Sequence, residues 1–335
     1  FLVKGVFMRL AQYDVNGKPQ DVIKIIDKPT PKPGKGEVTI QIEAAPIHLA
    51  DLYCMMGKES FKMPLPATPG FEGVGRILEV GDGVNNFKEG DRVFPPLASN
   101  TWCDVIRVSC KGLIRAPEGR SDILSLLSIN PPTSYLILED FGNLKEGDWI
   151  IQNAANSNCG RYLIELAKLK GIKTVNLVRR EEVIPDLIRL GGDVVLVDNE
   201  NISEEMIKAT NGAKPKLGID AVNGMATARM ANCLEDNSTI LAYGMLTDEP
   251  CMLPADVVFM RNIKLEGFYT IRQFENRTEL EIAEIYKHLS DLFESGNLST
   301  EIAQVYSLDM VKDAVEHAGR RGSDRNGKII LTMEN

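Results

Sequence analysis

A repeated alternation of apolar strands and helical segments begins near Ser121 and limits the chain to a narrow set of folds. Residues 161–169 place apolar side chains at helical spacing, and Gly171 follows as a helix-ending glycine. Apolar strands joined by helices predict an α/β fold with a doubly wound parallel sheet, which binds ligands beyond the carboxyl ends of its strands. The almost continuous apolar runs occupy residues 148–153, 174–178, 194–197, 217–222 and 239–244.

The first third of the chain is rich in glycine, proline and short runs of alternating polarity. Residues 37–42 alternate polar and apolar side chains, as a half-buried strand does. Further short runs lie at 73–81, 91–94 and 105–108, with Gly/Pro turns between them. This pattern predicts a small β-rich barrel or sandwich.

The last part of the chain has a long helical pattern that stops at Gly296 and a closing strand at 328–331. We expect this segment to return to the first domain. The predicted organisation is therefore a β-rich domain from 1–120 and 266–335, and a dinucleotide-binding domain from 121–265.

Composition and charge exclude several functional classes. Of 335 residues, 38 are Lys or Arg and 47 are Asp or Glu, so the net charge of −9 argues against general nucleic-acid binding. No apolar run approaches the ~20 residues that span a bilayer. The six cysteines include no CxxC pair, and the N-terminus lacks a secretory pattern. These features predict a reducing compartment, which we take to be the cytoplasm, with an organelle matrix after import as the alternative.

The loop after the strand at 148–153 is the first candidate for a nucleotide site. An exposed helix N-terminus suits a pyrophosphate, but the full glycine fingerprint is absent, and an ordinary strand–helix turn is an equally good interpretation. Asparagine tolerates a positive φ, so Asn156 or Asn158 could form the tight turn. The candidate residues of this loop are Asn156, Ser157, Asn158, Cys159 and Gly160.

The end of the next strand indicates which nicotinamide cofactor the chain prefers. An acidic residue at this position binds the ribose hydroxyls of NAD, whereas arginine accommodates the 2′-phosphate of NADP. Here Val178 is followed by Arg179 and Arg180. Arginine forms paired hydrogen bonds to phosphate, so the position favours NADPH over the alternative of two solvated arginines.

The order of these segments resembles the medium-chain dehydrogenase/reductase superfamily. The resemblance rests on a Gly/Pro-rich strand domain, then GFEGVGRILEVGDGV and GDRV, then the dinucleotide domain. It implies a Rossmann-type sheet and a GroES-like β-rich substrate domain. The zinc-dependent alcohol dehydrogenases of the superfamily carry histidine where this chain has Phe71, and their earlier cysteine ligand aligns with His48. His48 and Glu72 alone are too few ligands for a catalytic zinc, so we predict no metal. His48 is then interpreted as a hydrogen-bonding pocket residue or a core histidine.

Longer stretches resemble one branch, the zinc-free 2-enoyl thioester reductases of mitochondrial type and their bacterial relatives. These stretches are INPPTSY, GDWIIQNAANS, VNLVRR, LAYGM, IKLEGFY and GKIILTM. The resemblance implies reduction of an enoyl thioester by NADPH, without metal, in a homodimer. Besides the loop and the two arginines, it implies cofactor-binding roles for Asn130, Thr133, Tyr243, Gly244, Met245, Phe268, Tyr269 and Lys328.

The chain departs from this branch at the catalytic tyrosine, which precedes a Leu-Pro pair in the family. Glu59 occupies that position here, and Tyr53 is the nearest tyrosine in the sequence. A buried, protonated carboxyl could donate a hydrogen bond to the thioester oxygen in place of a phenol. Glu59 and Tyr53 are therefore the catalytic candidates. The departure leaves two alternatives open: a zinc-free quinone, enone or aldehyde oxidoreductase, and a non-catalytic NADPH-binding relative.

Overall fold

The structure, a computed structural model, describes residues 6–58, 63–247, 249–320 and 327–333. The described residues form two compact units. One unit draws on the described residues within 1–129, 277–294 and 299–335, and the other on those within 130–276 and 295–298. We call them the β-rich unit and the nucleotide unit.

Strands and helices are numbered along the chain. The strands are β1 (Phe7–Gln12), β2 (Lys24–Pro29), β3 (Glu37–Pro46), β4 (Val74–Val80), β5 (Arg92–Phe94), β6 (Val105–Ser109), β7 (Ile114–Arg115), β8 (Trp149–Gln152), β9 (Lys173–Val178), β10 (Val194–Val197), β11 (Leu217–Asp220), β12 (Thr239–Ala242), β13 (Lys264–Gly267), β14 (Ile302–Ser307) and β15 (Lys328–Thr332). The helices are α1 (Pro19–Val22), α2 (Leu49–Met56), α3 (Ser121–Leu124), α4 (Asn130–Asp140), α5 (Asn158–Leu169), α6 (Ile184–Leu190), α7 (Ile202–Ala209), α8 (Met225–Cys233), α9 (Ala255–Phe259), α10 (Thr270–Glu275), α11 (Glu279–Glu294) and α12 (Val311–Gly319).

The nucleotide unit is built on a parallel sheet with the strand order β10-β9-β8-β11-β12-β13. The order reverses direction between β8 and β11, which is the topological switch point where such sheets bind ligands. Apolar side chains such as Ile151, Val175 and Ile240 are fully buried between the layers, which explains why the strands read as continuous apolar runs. The predicted doubly wound parallel sheet is confirmed.

The β-rich unit contains a mixed sheet with the path β14-β15-β3-β4-β5-β7, and β6 pairs with β3. Along β3, the alternate side chains of Val38, Ile40 and Ile42 enter the core and are at most 1% exposed. The last strand, β15, lies between β14 and β3 and brings Ile330 opposite Pro46. This pairing places the chain's final described residues beside the segment that starts α2.

None of the helices in the described ranges is both long and apolar enough to cross a bilayer.

Candidate active site

The loop from β8 to α5 has the geometry of a phosphate-binding turn. Ala154 has a positive φ of 47°, and the Ser157 hydroxyl caps α5 by accepting a hydrogen bond from the Gly160 amide at 3.1 Å. A Cβ atom at Gly160 would lie 2.6 Å from the Ala155 carbonyl oxygen, so only glycine fits there. Asn156 is exposed at the tip of the loop. The arrangement leaves amides of the first turn of α5 to face an anion.

A buried hydrogen-bond network fixes the ends of β8 and β11 on either side of the switch point. The Asp220 carboxylate accepts hydrogen bonds from Asn153 Nδ2 at 2.6 Å and from Thr227 Oγ1 at 2.5 Å. The backbone amides of Val222 and Asn223 also donate to it. Asn153 Oδ1 in turn accepts from the Ala221 amide at 2.8 Å. Sequence reasoning missed this pair, although an aspartate ending the apolar run LGID was a signal of a buried acceptor.

Cys159 and Tyr243 meet behind the loop. Cys159 is buried, its thiol lies 3.1 Å from the Ser134 hydroxyl, and burial raises the pKa of the thiol to about 11. The Tyr243 hydroxyl is buried and makes no satisfactory hydrogen bond within the described part of the chain, although Cys159 and Ser157 lie near it. Burial, and next the neighbouring Cys159, raise the pKa of Tyr243 well above its ordinary value. A buried hydroxyl of this kind is a donor that suits an incoming ligand oxygen.

Of the remaining predicted cofactor residues in the nucleotide unit, some make hydrogen bonds and others are packed against an aromatic ring or exposed. Thr133 is buried on α4, and its hydroxyl lies 2.6 Å from that of Thr270 at the start of α10. The carbonyl of Asn130 accepts a hydrogen bond from Ser134, and the Gly244 carbonyl accepts one from Asn223. Phe268, by contrast, packs edge-on against Phe141 with ring centroids 5.7 Å apart. Two further predicted side chains, Met245 and Tyr269, are more than half exposed.

Arg179 and Arg180 follow the carboxyl end of β9, next to the strand that leads into the phosphate loop. Arg179 is exposed. Arg180 donates to Glu182 at 2.7 Å, an ion pair with 36% and 63% exposed side chains. A pair of this exposure is weak, so its guanidinium can exchange the carboxylate for a phosphate at small cost.

A charged cluster lies in the β-rich unit, where sequence reasoning considered His48 together with Glu72 but did not connect either residue with Lys328. His48 Nε2 lies 2.5 Å from Glu72 Oε1, and Lys328 Nζ lies 3.3 Å from His48 Nδ1. Asp51, which sequence reasoning missed, is 1% exposed and accepts the amide hydrogens of His48 and Gly70, both at 2.9 Å. Asp51 thus ties together the two segments that carry His48 and Glu72.

The structure describes one of the two catalytic candidates. Tyr53 is half-buried on α2, and Glu59 lies outside the described residues. A small, mainly apolar pocket opens beside Asp51 and is lined in part by Tyr13, Cys54 and Phe71.

The same cluster shows that the site does not fit a catalytic zinc. Throughout the ranges that the structure describes, no group of three or more His, Cys, Asp or Glu side chains could hold a metal ion. Phe71 has no ligand atom, and both nitrogens of His48 already contact Glu72 and Lys328. A zinc ion needs about three protein ligands.

The residues of the nucleotide unit do fit a dinucleotide. A pyrophosphate requires hydrogen-bond donors, and here these are the amides of the tight turn that Gly160 allows and the buried Tyr243 hydroxyl. A 2′-phosphate requires cations, and the arginines after β9 are placed to supply them.

Comparison with known proteins agrees with this architecture. The family described as "Alcohol dehydrogenase GroES-like domain" matches residues 34–117, and that described as "Zinc-binding dehydrogenase" matches residues 159–285. The chain therefore belongs to the medium-chain dehydrogenase/reductase superfamily, as the sequence predicted.

Within that superfamily, the chain belongs to the family of the mitochondrial enoyl-(acyl-carrier-protein) reductases. A protein of that name from Dictyostelium discoideum is 35% identical over 334 residues, which cover 95% of this chain and 93% of that protein. A putative NADPH:quinone reductase from Bacillus thuringiensis has a similar structure, with a TM-score of 0.89 and 26% identity over 98% of this chain and all of the other. The complex of Etr1p with NADP and crotonyl-CoA has a TM-score of 0.82 at 22% identity, with 98% of this chain and 100% of that one covered, and shows the shared fold.

Proposed function

We propose that the chain reduces the 2,3 double bond of an enoyl thioester with NADPH and without a metal. The observation that carries the cofactor assignment is the pair Arg179–Arg180 at the end of β9. The pair lies next to the loop from β8 to α5, whose tight turn requires glycine at position 160. The family, whose curated members are named as enoyl reductases, supports the thioester substrate.

The chain's own residues bind and orient the reactants in this proposal. NADPH, when bound, supplies a hydride to C3 of the thioester. The first turn of α5 holds the pyrophosphate, Arg179 and Arg180 hold the 2′-phosphate, and the Asn153–Asp220 network keeps the loop in its binding geometry. Glu59 and Tyr53 stay the proposed donors to the thioester oxygen or to C2. The proposed domains are 121–265 for the dinucleotide, and 1–120 with 266–335 for the substrate.

The test is oxidation of NADPH by a panel of trans-2-enoyl-CoA thioesters of different chain lengths, followed by absorbance at 340 nm. Turnover with thioesters and none with quinones supports the proposal. Turnover with quinones alone identifies the second candidate, which the similarity to the Bacillus thuringiensis structure favours. Binding of NADPH without oxidation by any acceptor identifies a non-catalytic relative.

A double variant and a control variant test the cofactor assignment. In a double variant with Arg179→Ala and Arg180→Ala, we expect the Kd for NADPH to rise by at least about 150-fold, because two lost charge-assisted bonds at about 1.5–3 kcal/mol each amount to about 3–6 kcal/mol. The Kd for NADH should stay nearly unchanged. Arg189→Ala removes another exposed arginine of the same unit, 73% exposed on α6, and serves as the control. Equal losses for both cofactors contradict the assignment.

We also propose a homodimer that forms along β13. This strand pairs with β12 on one side, and all four of its residues are exposed. Its neighbours Phe259 and Met260 are each 73% exposed, and Leu265 is 40% exposed. An exposed strand edge beside apolar side chains favours pairing with a second copy of the chain. For its location we propose the cytoplasm or an organelle matrix.

A further inference from the structure

Two buried side-chain amides cross the parallel sheet beneath the loop from β8 to α5. Gln152 ends β8, and Asn176 is its direct neighbour in the register of β9. Gln152 Nε2 donates to Asn176 Oδ1 at 2.8 Å and to the Gly160 carbonyl at 2.9 Å. Asn176 Nδ2 donates to the Thr174 hydroxyl at 2.8 Å and to the Val194 carbonyl at 3.1 Å. We call Gln152, Asn176 and Thr174 the amide ladder, and it connects β9 and β10 with the first turn of α5.

The backbone acceptors at both ends fix the orientation of the two amides. A carbonyl oxygen can only accept, so the Asn176 atom beside Val194 is the nitrogen, and Oδ1 faces Gln152. The Gln152 atom between Asn176 Oδ1 and the Gly160 carbonyl must then also be a nitrogen. Each amide nitrogen has two hydrogens, and both residues use both of them. The amide ladder therefore has a single arrangement of donors and acceptors.

The amide ladder is an expensive feature of the core. Gln152 and Asn176 are 0% exposed and stand in strands whose neighbouring residues, Ile151 and Val175, are apolar and equally buried. Gln152 Oε1 is buried and has no hydrogen-bond partner among the residues that the structure describes. An unpaired buried acceptor destabilises a fold, and two apolar side chains of similar size would avoid that cost. The amide ladder thus points to a role other than stability, at the carbonyl that Gln152 holds.

The contact with Gly160 lies where α5 begins. The carbonyls of a helix point away from its N-terminus, and the free amides of its first turn point the opposite way. Two successive carbonyls of this turn are held, because Cys159 accepts from the Ser134 hydroxyl at 2.9 Å and Gly160 accepts from Gln152. The loop also packs closely here, since a Cβ atom at Gly160 would lie 2.6 Å from the Ala155 carbonyl oxygen. Fixing these carbonyls fixes the direction in which the amides face.

We propose that Gln152 is a positioning residue for the pyrophosphate of the cofactor, and that Asn176 orients Gln152. This inference rests on the proposed function. Gln152 is fully buried, so it acts through the Gly160 carbonyl by holding the first turn of α5 in its binding geometry. NADPH and NADH share the pyrophosphate, so Gln152 affects the binding of both equally. Arg179 and Arg180, in contrast, distinguish the two cofactors.

The first test needs neither cofactor nor substrate. The amides of Gly160 and Arg161 donate to the hydroxyl and the carbonyl of Ser157, at 3.1 Å and 2.9 Å, and hydrogen exchange reports how firmly this turn is held. In Gln152→Met we expect both amides to exchange faster than in the unaltered protein. Thr174→Val cuts the amide ladder at its far end and is the control, in which their exchange should stay unchanged. Unchanged exchange in Gln152→Met overturns the proposal.

The second test measures the Kd for NADPH and for NADH together with the urea midpoint of unfolding. In Gln152→Met we expect both Kd values to rise by about 10-fold or more with their ratio preserved, because misplacing binding groups by about 1 Å has effects of this size. Asn176→Leu should have a smaller effect, since Gln152 keeps its contact with Gly160 but loses its orienting partner. Thr174→Val should lower the urea midpoint, as Gln152→Met does, and leave both Kd values unchanged.

A double variant separates positioning from stability. Gln152→Met combined with Asn176→Leu replaces both amides by apolar side chains of similar size, so its urea midpoint should recover relative to Gln152→Met alone. Both Kd values should stay raised, because nothing then holds the Gly160 carbonyl. This variant also carries the test if Gln152→Met alone does not fold.

A role in stability alone would give a different pattern. Cofactor affinity would then follow the urea midpoint, so that it recovers in the double variant or falls equally in Thr174→Val, and either result overturns the proposal. A changed ratio of the two Kd values in Gln152→Met also overturns it. An unaltered protein that binds neither NADPH nor NADH overturns the proposed function, and the hydrogen exchange still decides whether Gln152 holds the turn.

Discussion

Asp51 makes the stability of the β-rich unit depend on pH in an unusual direction. Burial raises the pKa of Asp51 from 3.8 to about 6, although the charges of His48 and Lys328 and the amides of His48 and Gly70 act in the opposite direction. Desolvation outweighs them because the carboxyl is 1% exposed. The folded state therefore binds this proton more tightly than the unfolded chain does.

The sign and size of the change in unfolding free energy with pH follow from proton linkage. The stabilising contribution of the raised pKa is complete below pH 3.8 and is lost as the pH rises through about 6. The full effect is about 3 kcal/mol, and roughly half of it is recovered between pH 8 and pH 5. Asp51→Asn cannot titrate, so the unfolding free energy of the unaltered protein minus that of the variant should rise by this amount as the pH falls from 8 to 5.

The two tryptophans provide the assay. Trp102 is fully buried in the β-rich unit, and Trp149→Phe leaves it as the remaining tryptophan of the chain. Urea unfolding of this background, with and without Asp51→Asn, is followed by Trp102 fluorescence at pH 5, 6, 7 and 8. Asp82→Asn, which removes an exposed carboxyl, is the control and should show no such change. A pH-independent difference, or one that rises towards pH 8, refutes the reasoning.

Three further outcomes follow from the nucleotide unit. Asn153→Ala removes two hydrogen bonds of the network around Asp220 and should lower the unfolding free energy by about 2–3 kcal/mol in urea titrations; a loss below about 0.5 kcal/mol contradicts the role of the network. Gly160→Ala should lower the unfolding free energy by about 1–3 kcal/mol and weaken NADPH binding in fluorescence titrations. Gly267→Ala, whose Cβ would meet no atom within 4 Å, should preserve both stability and binding. Equal effects of the two variants would contradict the need for glycine in the turn at position 160. Leu265→Lys at the β13 edge should shift the mass measured by light scattering from dimer to monomer, whereas Ile188→Lys, at another apolar position that is 55% exposed, should not. A monomeric unaltered protein would contradict the proposed dimer.

The sequence predicts the nucleotide unit well because local pattern and tertiary position coincide there. The central strands of its sheet, β8, β9 and β11, are buried on both faces, so burial appears directly as an apolar run. The end of each run then marks the ligand-binding edge, and the residues that follow, such as Ser157 and Arg179, lie where the pattern predicts. The roles of these residues in binding NADPH stay predictions until the variants are measured.

The polar clusters are harder to predict because their partners are far apart in the chain. Asn153 and Asp220 are separated by 67 residues, and no periodicity links them. His48 precedes α2, Glu72 lies in the loop before β4 and Lys328 lies in β15. The pairing of β15 with β3 brings Lys328 beside the other two residues. A lone lysine in a sequence is more often a solvated side chain, so the sequence alone gives no reason to join Lys328 with His48 and Glu72.

The contacts of His48 place a cation near the acid that is buried at Glu72. A buried carboxylate without a cation would be protonated or would destabilise the fold. The zinc-dependent relatives that the sequence resembles place a metal ligand where Phe71 stands, and a metal would supply the positive charge there. In this chain His48 contacts Glu72 through Nε2 and Lys328 through Nδ1, so that a positively charged side chain lies one imidazole ring away from the buried acid.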